Sequence, residues 1–266
     1  MLIVADVHGE AAALRKVAAV GEPLLVLGDL INMIDYRTNE GIVRDITGGD
    51  FVDAYVSARA AGRWATAQQM WRDFRQAHGA DELHRRFNEE VEAQYLAVCA
   101  ALTGTEAYVT YGNVDRPELM KRMLPRGAKF VDGEVIEIEG WTVGFAGGGL
   151  MSLNTPGEVD DETMATKLEA MAGVDVLCTH VAPSVPELAG DVISGRDKGS
   201  NVVKAHIETH QPELHFFGDI HQPKATTWRI GNTISSNVGY FRATGRGLRL
   251  APRSVPQRSG SATPVS

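Results

Sequence analysis

Five short runs suited to buried β-strands each stop at residues that bind metal ions, and this repetition constrains the fold more than any other feature of the chain. Leu2–Ala5 leads into Asp6 and His8; Leu24–Leu27 into Gly28 and Asp29; Ala107–Thr110 into Gly112, Asn113 and Asp115; Val174–Cys178 into His180; Leu214–Phe217 into Gly218, Asp219 and His221. Short apolar runs bounded by glycine fit buried strands. Asp, Asn and His supply the oxygen and nitrogen donors that divalent ions take. In an open α/β sheet the carboxyl ends of the strands share one edge, where ligands bind, so these endings are expected to converge on a single crevice.

Between the first two runs, Glu10 to Val20 is rich in Ala, Leu, Arg and Lys, and Gly21 stands at the position favoured just past a helix end. Strand, helix and strand make a βαβ unit with a parallel pair. From residue 35 to residue 103 the pattern is helical only. Ala67, Met70, Trp71 and Phe74 recur at helical spacing, followed by the stripe Leu83, Phe87, Val91, Tyr95, Val98 and Leu102. Asp81/Arg85 and Glu82/Arg86 are spaced for i,i+4 pairing. This α-helical insert either packs against the core or caps the crevice and selects substrates; inserts after strand carboxyl ends emerge on the ligand side. His78 and His84 within it read as solvated helix positions.

Asp115 and Glu118, with Pro117 in the first turn, match a capping pattern, the alternative for Asp115 being a support behind the metal ligands. Val131–Ile138 and Trp141–Ala146, divided by Glu139-Gly140, predict a hairpin, and Gly147-Gly148-Gly149 a tight turn near the metal edge. Asp160–Met171 reads as a helix. The loop over 182–199 carries Arg196 and Lys198, candidate phosphate-binding cations or plain solvated charges. Ser200 or Asn201 caps a helix to His210. His206 and His210 stand four apart, but the Glu between them is misplaced for either zinc-protease motif. Thr226–Ile230, Thr233–Asn237 and Gly247–Leu250 are further strands, the first two joined through Gly231-Asn232. The expected organisation is one α/β domain over 1–250 with the insert at 35–103, then a tail at 251–266 without periodicity, expected to be disordered.

In order and context these motifs resemble the calcineurin-like metallophosphoesterases, whose pattern is D-x-H, G-D, G-N-H-[DE], a lone H and G-H-x-H. Here it reads Asp6-Val7-His8, Gly28-Asp29, Gly112-Asn113-Val114-Asp115, His180 and Gly218-Asp219-Ile220-His221, over residues 1–34 and 104–250. The resemblance implies a four-layer α/β/β/α sandwich. It assigns Asp6, His8, Asp29 and His221 to one metal and Asp29, Asn113, His180 and Asp219 to a second, with Asp29 bridging. Two such dications hold the attacking and leaving oxygens of an in-line displacement and lower the pKa of bound water, so Asp29 and Asn113 would act through the hydroxide they help to hold. The donor set suits Mn, Fe, Zn or Mg, with Mn favoured.

Two positions depart from the family. Val114 replaces a His that acts beside the leaving group, a proton donor of a kind typically contributing about 10²–10⁴-fold of rate. Asp219 replaces a His and adds a negative charge, leaving the metal pair with one positive charge fewer. Both departures point to a phosphodiester substrate. A phosphomonoesterase of small phosphorylated metabolites and a catalytically weak metal-binding scaffold of the same fold are the alternatives.

Composition narrows the setting. The 266 residues are 44% hydrophobic and 23% charged, ordinary for a globular protein. No apolar run approaches the ~20 residues of a membrane helix. A ligand as early as Asp6 leaves no room for a leader before the site, so the expected location is the cytoplasm. A net charge of -8 argues against sequence-independent nucleic-acid binding; the small phosphate-ester substrate is what the resemblance implies. Cys99 and Cys178 read as buried small hydrophobes.

Overall fold

A computed structural model describes residues 1–152, 155–192 and 197–254. Its strands are β1 (Leu2–Val4), β2 (Leu24–Leu27), β3 (Ala107–Thr110), β4 (Ala128–Phe130), β5 (Glu134–Ile138), β6 (Trp141–Ala146), β7 (Gly149–Leu150), β8 (Glu158–Val159), β9 (Val176–Thr179), β10 (Leu214–Phe217), β11 (Thr227–Ile230), β12 (Thr233–Asn237) and β13 (Leu248–Arg249). Its helices are α1 (Ala11–Ala18), α2 (Ile42–Thr47), α3 (Gly49–Ala60), α4 (Trp64–His78), α5 (Ala80–Ala101), α6 (Pro117–Met123), α7 (Asp161–Glu169), α8 (Pro186–Ala189), α9 (Asn201–His210) and α10 (Phe241–Thr244). The chain is an α/β protein.

Two sheets carry the fold. One runs β13-β1-β2-β3-β4, parallel throughout except for β13, in the register Leu2↔Leu24 and Leu24↔Ala107. The other runs β11-β12-β10-β9-β6-β5, with the four inner strands parallel and an antiparallel strand at each edge. Because β1, β2 and β3 in one sheet and β9 and β10 in the other are parallel within their sheets, their carboxyl ends sit together on one edge of each.

Alternation along the strands sorts the core into three apolar layers. Ile3, Leu25 and Leu27 meet Val143, Phe145, Val176 and Phe216 between the sheets. Leu2, Val4, Leu24 and Val26, on the opposite face, pack on Leu14 of α1 and on α5. Leu177 and Phe217 pack on Met164, Leu168, Val203 and Ile207 of α7 and α9.

Local chemistry sets the boundaries. Glu10 accepts from the backbone N–H of Ala13 at the start of α1, and Gly21 (φ +81°) follows its end. Asp160 and Ser200 cap α7 and α9 through the N–H groups of Thr163 and Val203. The β5–β6 hairpin turns through Glu139 and Gly140 at φ 48° and 82°, as a two-residue loop matching the strand twist requires.

The insert is helical as expected, but it is not one body apart from the core. Leu83, Val91, Tyr95, Val98 and Leu102 of the predicted stripe are buried in the layer that also holds α1 and β1. Phe51, Tyr55, Trp71, Phe74 and Phe87 form an aromatic cluster, with ring centroids 5.0 Å apart for Phe51–Trp71 and Phe51–Phe74, and Phe74 and Phe87 also pack against that layer. Arg85 pairs with Glu82 and Glu89, each at 2.6 Å, rather than with Asp81. Cys99 and Cys178 are buried and free. Among the described residues no helix is long and apolar enough to cross a membrane. The tail expected to be disordered lies, from residue 255 on, outside the described residues.

Candidate metal centre

The predicted donors gather at the shared strand edge. Asp6, His8 and His221 present one ligand atom each within 4.8 Å of one another, and so do Asp6, Asp29 and His180. Asn113 joins them, with its Oδ1 3.3 Å from His180 Nε2. Asp6 is common to both groups. Asp29 faces both sides as well, its Oδ2 lying 3.6 Å from His8 Nε2 and its Oδ1 3.5 Å from His180 Nε2.

Backbone hydrogen bonds aim the imidazoles. His8 Nδ1 bonds the Ile31 carbonyl at 3.0 Å and His180 Nδ1 the Leu27 carbonyl at 2.8 Å, which leaves each Nε2 directed into the site. This is how metal-binding histidines are commonly oriented. His221 stacks on the Tyr240 ring (centroids 3.9 Å apart, planes at 9°). The Tyr240 hydroxyl donates to Asp35 Oδ2 at 3.0 Å, and Arg242 ties Asp35 and Glu40 to the carbonyl of His8.

Backbone strain is concentrated here. Of the seven non-glycine residues at positive φ among those described, four are predicted ligands: Asp6 (57°), His8 (42°), Asp29 (51°) and Asp219 (61°). Such conformations cost about 1–3 kcal/mol each and cluster at functional sites. Glycines let the loops close on one another. A Cβ on Gly112 would lie 2.1 Å from Asp29 Oδ1 and 2.6 Å from the His180 ring, and one on Gly149 would lie 2.4 Å from Asn113 Cβ.

The electrostatics of the site are compatible with a cation. Burial, reinforced by Asp29 and Asp219, pushes the Asp6 carboxyl up to about 8, despite His180. Burial opposes charge on His180, but Asp29 outweighs it and holds the ring up to about 10. Burial also opposes charge on Asp29, yet His180 and His8 hold it well below the usual carboxylate range. Burial lowers both His8 and His221, so those rings are neutral and able to donate. Asp6 Oδ2 is buried with no hydrogen-bond partner among the described residues. An orphaned buried carboxylate oxygen beside neutral imidazoles fits a divalent ion.

One expectation is corrected. Asp115 is not the cap of α6, which begins after Arg116 with no side-chain cap. Fully buried, it accepts from the N–H groups of Leu30 and Gly112 and from the Tyr95 hydroxyl, bracing the loops that carry Asp29 and Asn113 from beneath. The Asp219 carboxylate belongs to neither donor group; its Oδ1 is 3.2 Å from Lys198 Nζ. Lys198 therefore binds Asp219, and the expected loss of one positive charge is cancelled by its ammonium. Arg196 lies outside the described residues.

Tyr240, Arg242 and Tyr95 join the site without belonging to any of its sequence motifs. The first two follow β12, a strand parallel to β10, so their position just past a strand end is the signal the sequence offers. A cavity of about 440 Å³ beside the donors is lined by His8, Asn32, Arg44, Gln94 and Arg242 among others, so the insert forms part of its wall. The larger cavity, about 1010 Å³, is lined by insert residues and Arg116 and by none of the predicted ligands.

No protein-family model and no curated protein matches the chain. Among solved structures 34 chains match; one superposes with a TM-score of 0.56 over 90% of both chains at 16% identity. Likeness at that identity shows the fold alone.

Proposed function

We propose that the chain is a metal-dependent hydrolase of phosphoric esters with a preference for phosphodiesters. The observation that carries this is the convergence of Asp6, His8, Asp29, Asn113, His180 and His221, with the buried Asp6 Oδ2 unpartnered. The three apolar layers support the four-layer α/β/β/α reading suggested by the motifs. A cavity of about 440 Å³ beside His8 suits a small substrate.

Asp6, His8, Asp29 and His221 would hold one divalent ion, and Asp29, Asn113 and His180 a second, with Mn favoured over Fe, Zn or Mg. Bound there, such ions lower the pKa of water and neutralise charge developing at phosphorus. The chain's own contribution is orientation: Ile31 and Leu27 fix the imidazoles, and Asp115 fixes the loops. Asp29 also accepts from the N–H of Val114, which locks the second and third loops together. The Val114 side chain donates no proton, so an ester whose leaving group departs with little protonation is favoured.

A second reading has its own observation. With Lys198 on Asp219 the charge of the site equals that of the family pattern, which removes one reason to disfavour phosphomonoesters. The test is hydrolysis of a chromogenic diester and its matched monoester by metal-stripped protein reloaded with Mn, with Asp29→Ala as control. Faster diester turnover that falls to background in Asp29→Ala supports the proposal. Equal or better monoester turnover selects the second reading. Activity surviving Asp29→Ala refutes both, and inactivity with every divalent ion leaves a metal-binding scaffold.

A further inference from the structure

We infer that Lys198 withholds Asp219 from the metal centre and thereby makes its two positions unequal. One divalent ion is held tightly by Asp6, His8, Asp29 and His221; the other, left with Asp29, Asn113 and His180, is held weakly. This rests on the metal-centre reading above and refines it.

The backbone of residue 219 is at the centre, because its N–H donates to Asp6 Oδ1 at 3.1 Å. The side chain lies beside the centre but is engaged by a cation: Asp219 Oδ1 is 3.2 Å from Lys198 Nζ, and no carboxylate oxygen of Asp219 falls within either donor group. Lys198 is placed by its own backbone, whose N–H donates to the Ala189 carbonyl at 3.1 Å. The following Gly199 packs so closely on Ser184 that a Cβ there would lie 2.4 Å from Ser184 Cα. The ammonium is thus carried on a stretch of chain anchored to the 184–189 segment.

An ammonium has three donors and no lone pair, so it cannot ligate a metal, while the carboxylate oxygen it engages loses part of its capacity to do so. An imidazole at 219 would supply a neutral donor. Aspartate paired with lysine is equally neutral but supplies a weakened donor. The pair therefore preserves the charge of the centre while weakening one ligand at one position only. Asp29 is shared with the tight position, so the weak position has only Asn113 and His180 to itself.

The test is metal stoichiometry of the full chain, stripped with chelator and titrated with Mn²⁺ by calorimetry and equilibrium dialysis. Wild type is expected to show one tight ion and a second roughly 10–100-fold weaker, the usual scale of effects from groups that orient or engage ligands. Lys198→Met frees Asp219 and should tighten the second ion at least about tenfold, giving two ions retained through gel filtration. Lys198→Arg, which keeps the ion pair, should retain one. Lys198→Met combined with Asp219→Ala should return to one. Two wild-type ions of similar affinity, or a Lys198→Met protein indistinguishable from wild type in stoichiometry, would overturn the inference. Circular dichroism checks that each variant folds; a purely structural role for Lys198 would shift the melting temperature and leave the ion count unchanged. A wild-type chain that retains no divalent ion at all refutes the metal centre itself, a distinct result.

Discussion

His8 Nε2 and His221 Nε2 lie 3.2 Å apart, and His8 Nδ1 is already committed to the Ile31 carbonyl. An imidazole that donates from Nδ1 presents its lone pair at Nε2, so the ring of His8 is set to give electrons towards the point where His221 and Asp6 also arrive. A divalent ion at that point binds the native chain and not the unfolded one. At a free concentration of about 100 times its Kd it should stabilise the fold by about 2.7 kcal/mol. In a thermal melt the stripped protein should gain several degrees on adding Mn²⁺, and His8→Ala should lose most of that gain. An unchanged melting temperature with Mn²⁺ present would contradict it.

Gly112 is needed for lack of a side chain, not for backbone freedom, since it is not among the positive-φ glycines. A Cβ at this position would strike Asp29 Oδ1 at 2.1 Å and the His180 ring at 2.6 Å. Gly112→Ala should therefore displace two ligands at once and reduce retained metal by at least about tenfold. Metal content by elemental analysis after gel filtration checks this, and a full complement of metal in Gly112→Ala would refute it.

Tyr95 reaches from α5 to the base of the site, donating to Asp115 Oδ1 at 3.0 Å and accepting from the Arg116 N–H at 2.7 Å. Burial, with Asp29 nearby, pushes the Asp115 carboxyl up to about 7, and burial beside Asp115 pushes the Tyr95 hydroxyl upward as well. Tyr95→Phe leaves the Arg116 N–H without this partner and should cost about 1–3 kcal/mol in urea unfolding. A loss under a few tenths of a kcal/mol would show that the brace is dispensable.

His215 gives a pH dependence separate from the metal donors. Thr179 Oγ1 donates to the Val181 carbonyl, so it accepts from His215 Nε2 at 2.9 Å, and Ser235 Oγ bonds Nδ1 at 2.7 Å. The ring is neutral, and burial holds its pKa down to about 3. Below about 6.5 the unfolded chain takes up a proton that the folded chain refuses, so this stability is complete above that pH and is lost as pH falls towards 3. The loss is about 1.4 kcal/mol per pH unit. The difference in unfolding free energy between wild type and His215→Leu should shrink on going from pH 7 to pH 5. A difference that is constant or grows on acidification would contradict the assignment.

The strand ends are legible in the sequence because each motif is local: an apolar run fixes the strand, and the donor follows within a few residues. Asp6, His8, Asp29, Asn113, His180 and His221 can accordingly be placed together from sequence. Asp115 misleads because a D-x-x-E pattern beside Pro117 looks like a helix start, whereas its partner Tyr95 arrives from the insert 20 residues earlier. Nor can spacing show that Lys198 engages Asp219, a contact across 21 residues. Tyr240 and Arg242 lie outside every motif and act by holding His221 and the His8 loop, a role visible only once β12 is known to run parallel to β10.

The most direct measurement is anomalous diffraction from crystals of the chain grown with Mn²⁺ and collected where manganese scatters anomalously. The arrangement described predicts a strong peak bounded by Asp6, His8, Asp29 and His221, within about 2.0–2.4 Å of their donor atoms as divalent ions require. Crystals saturated with Mn²⁺ that show no peak there, with the same side chains in place, would contradict it.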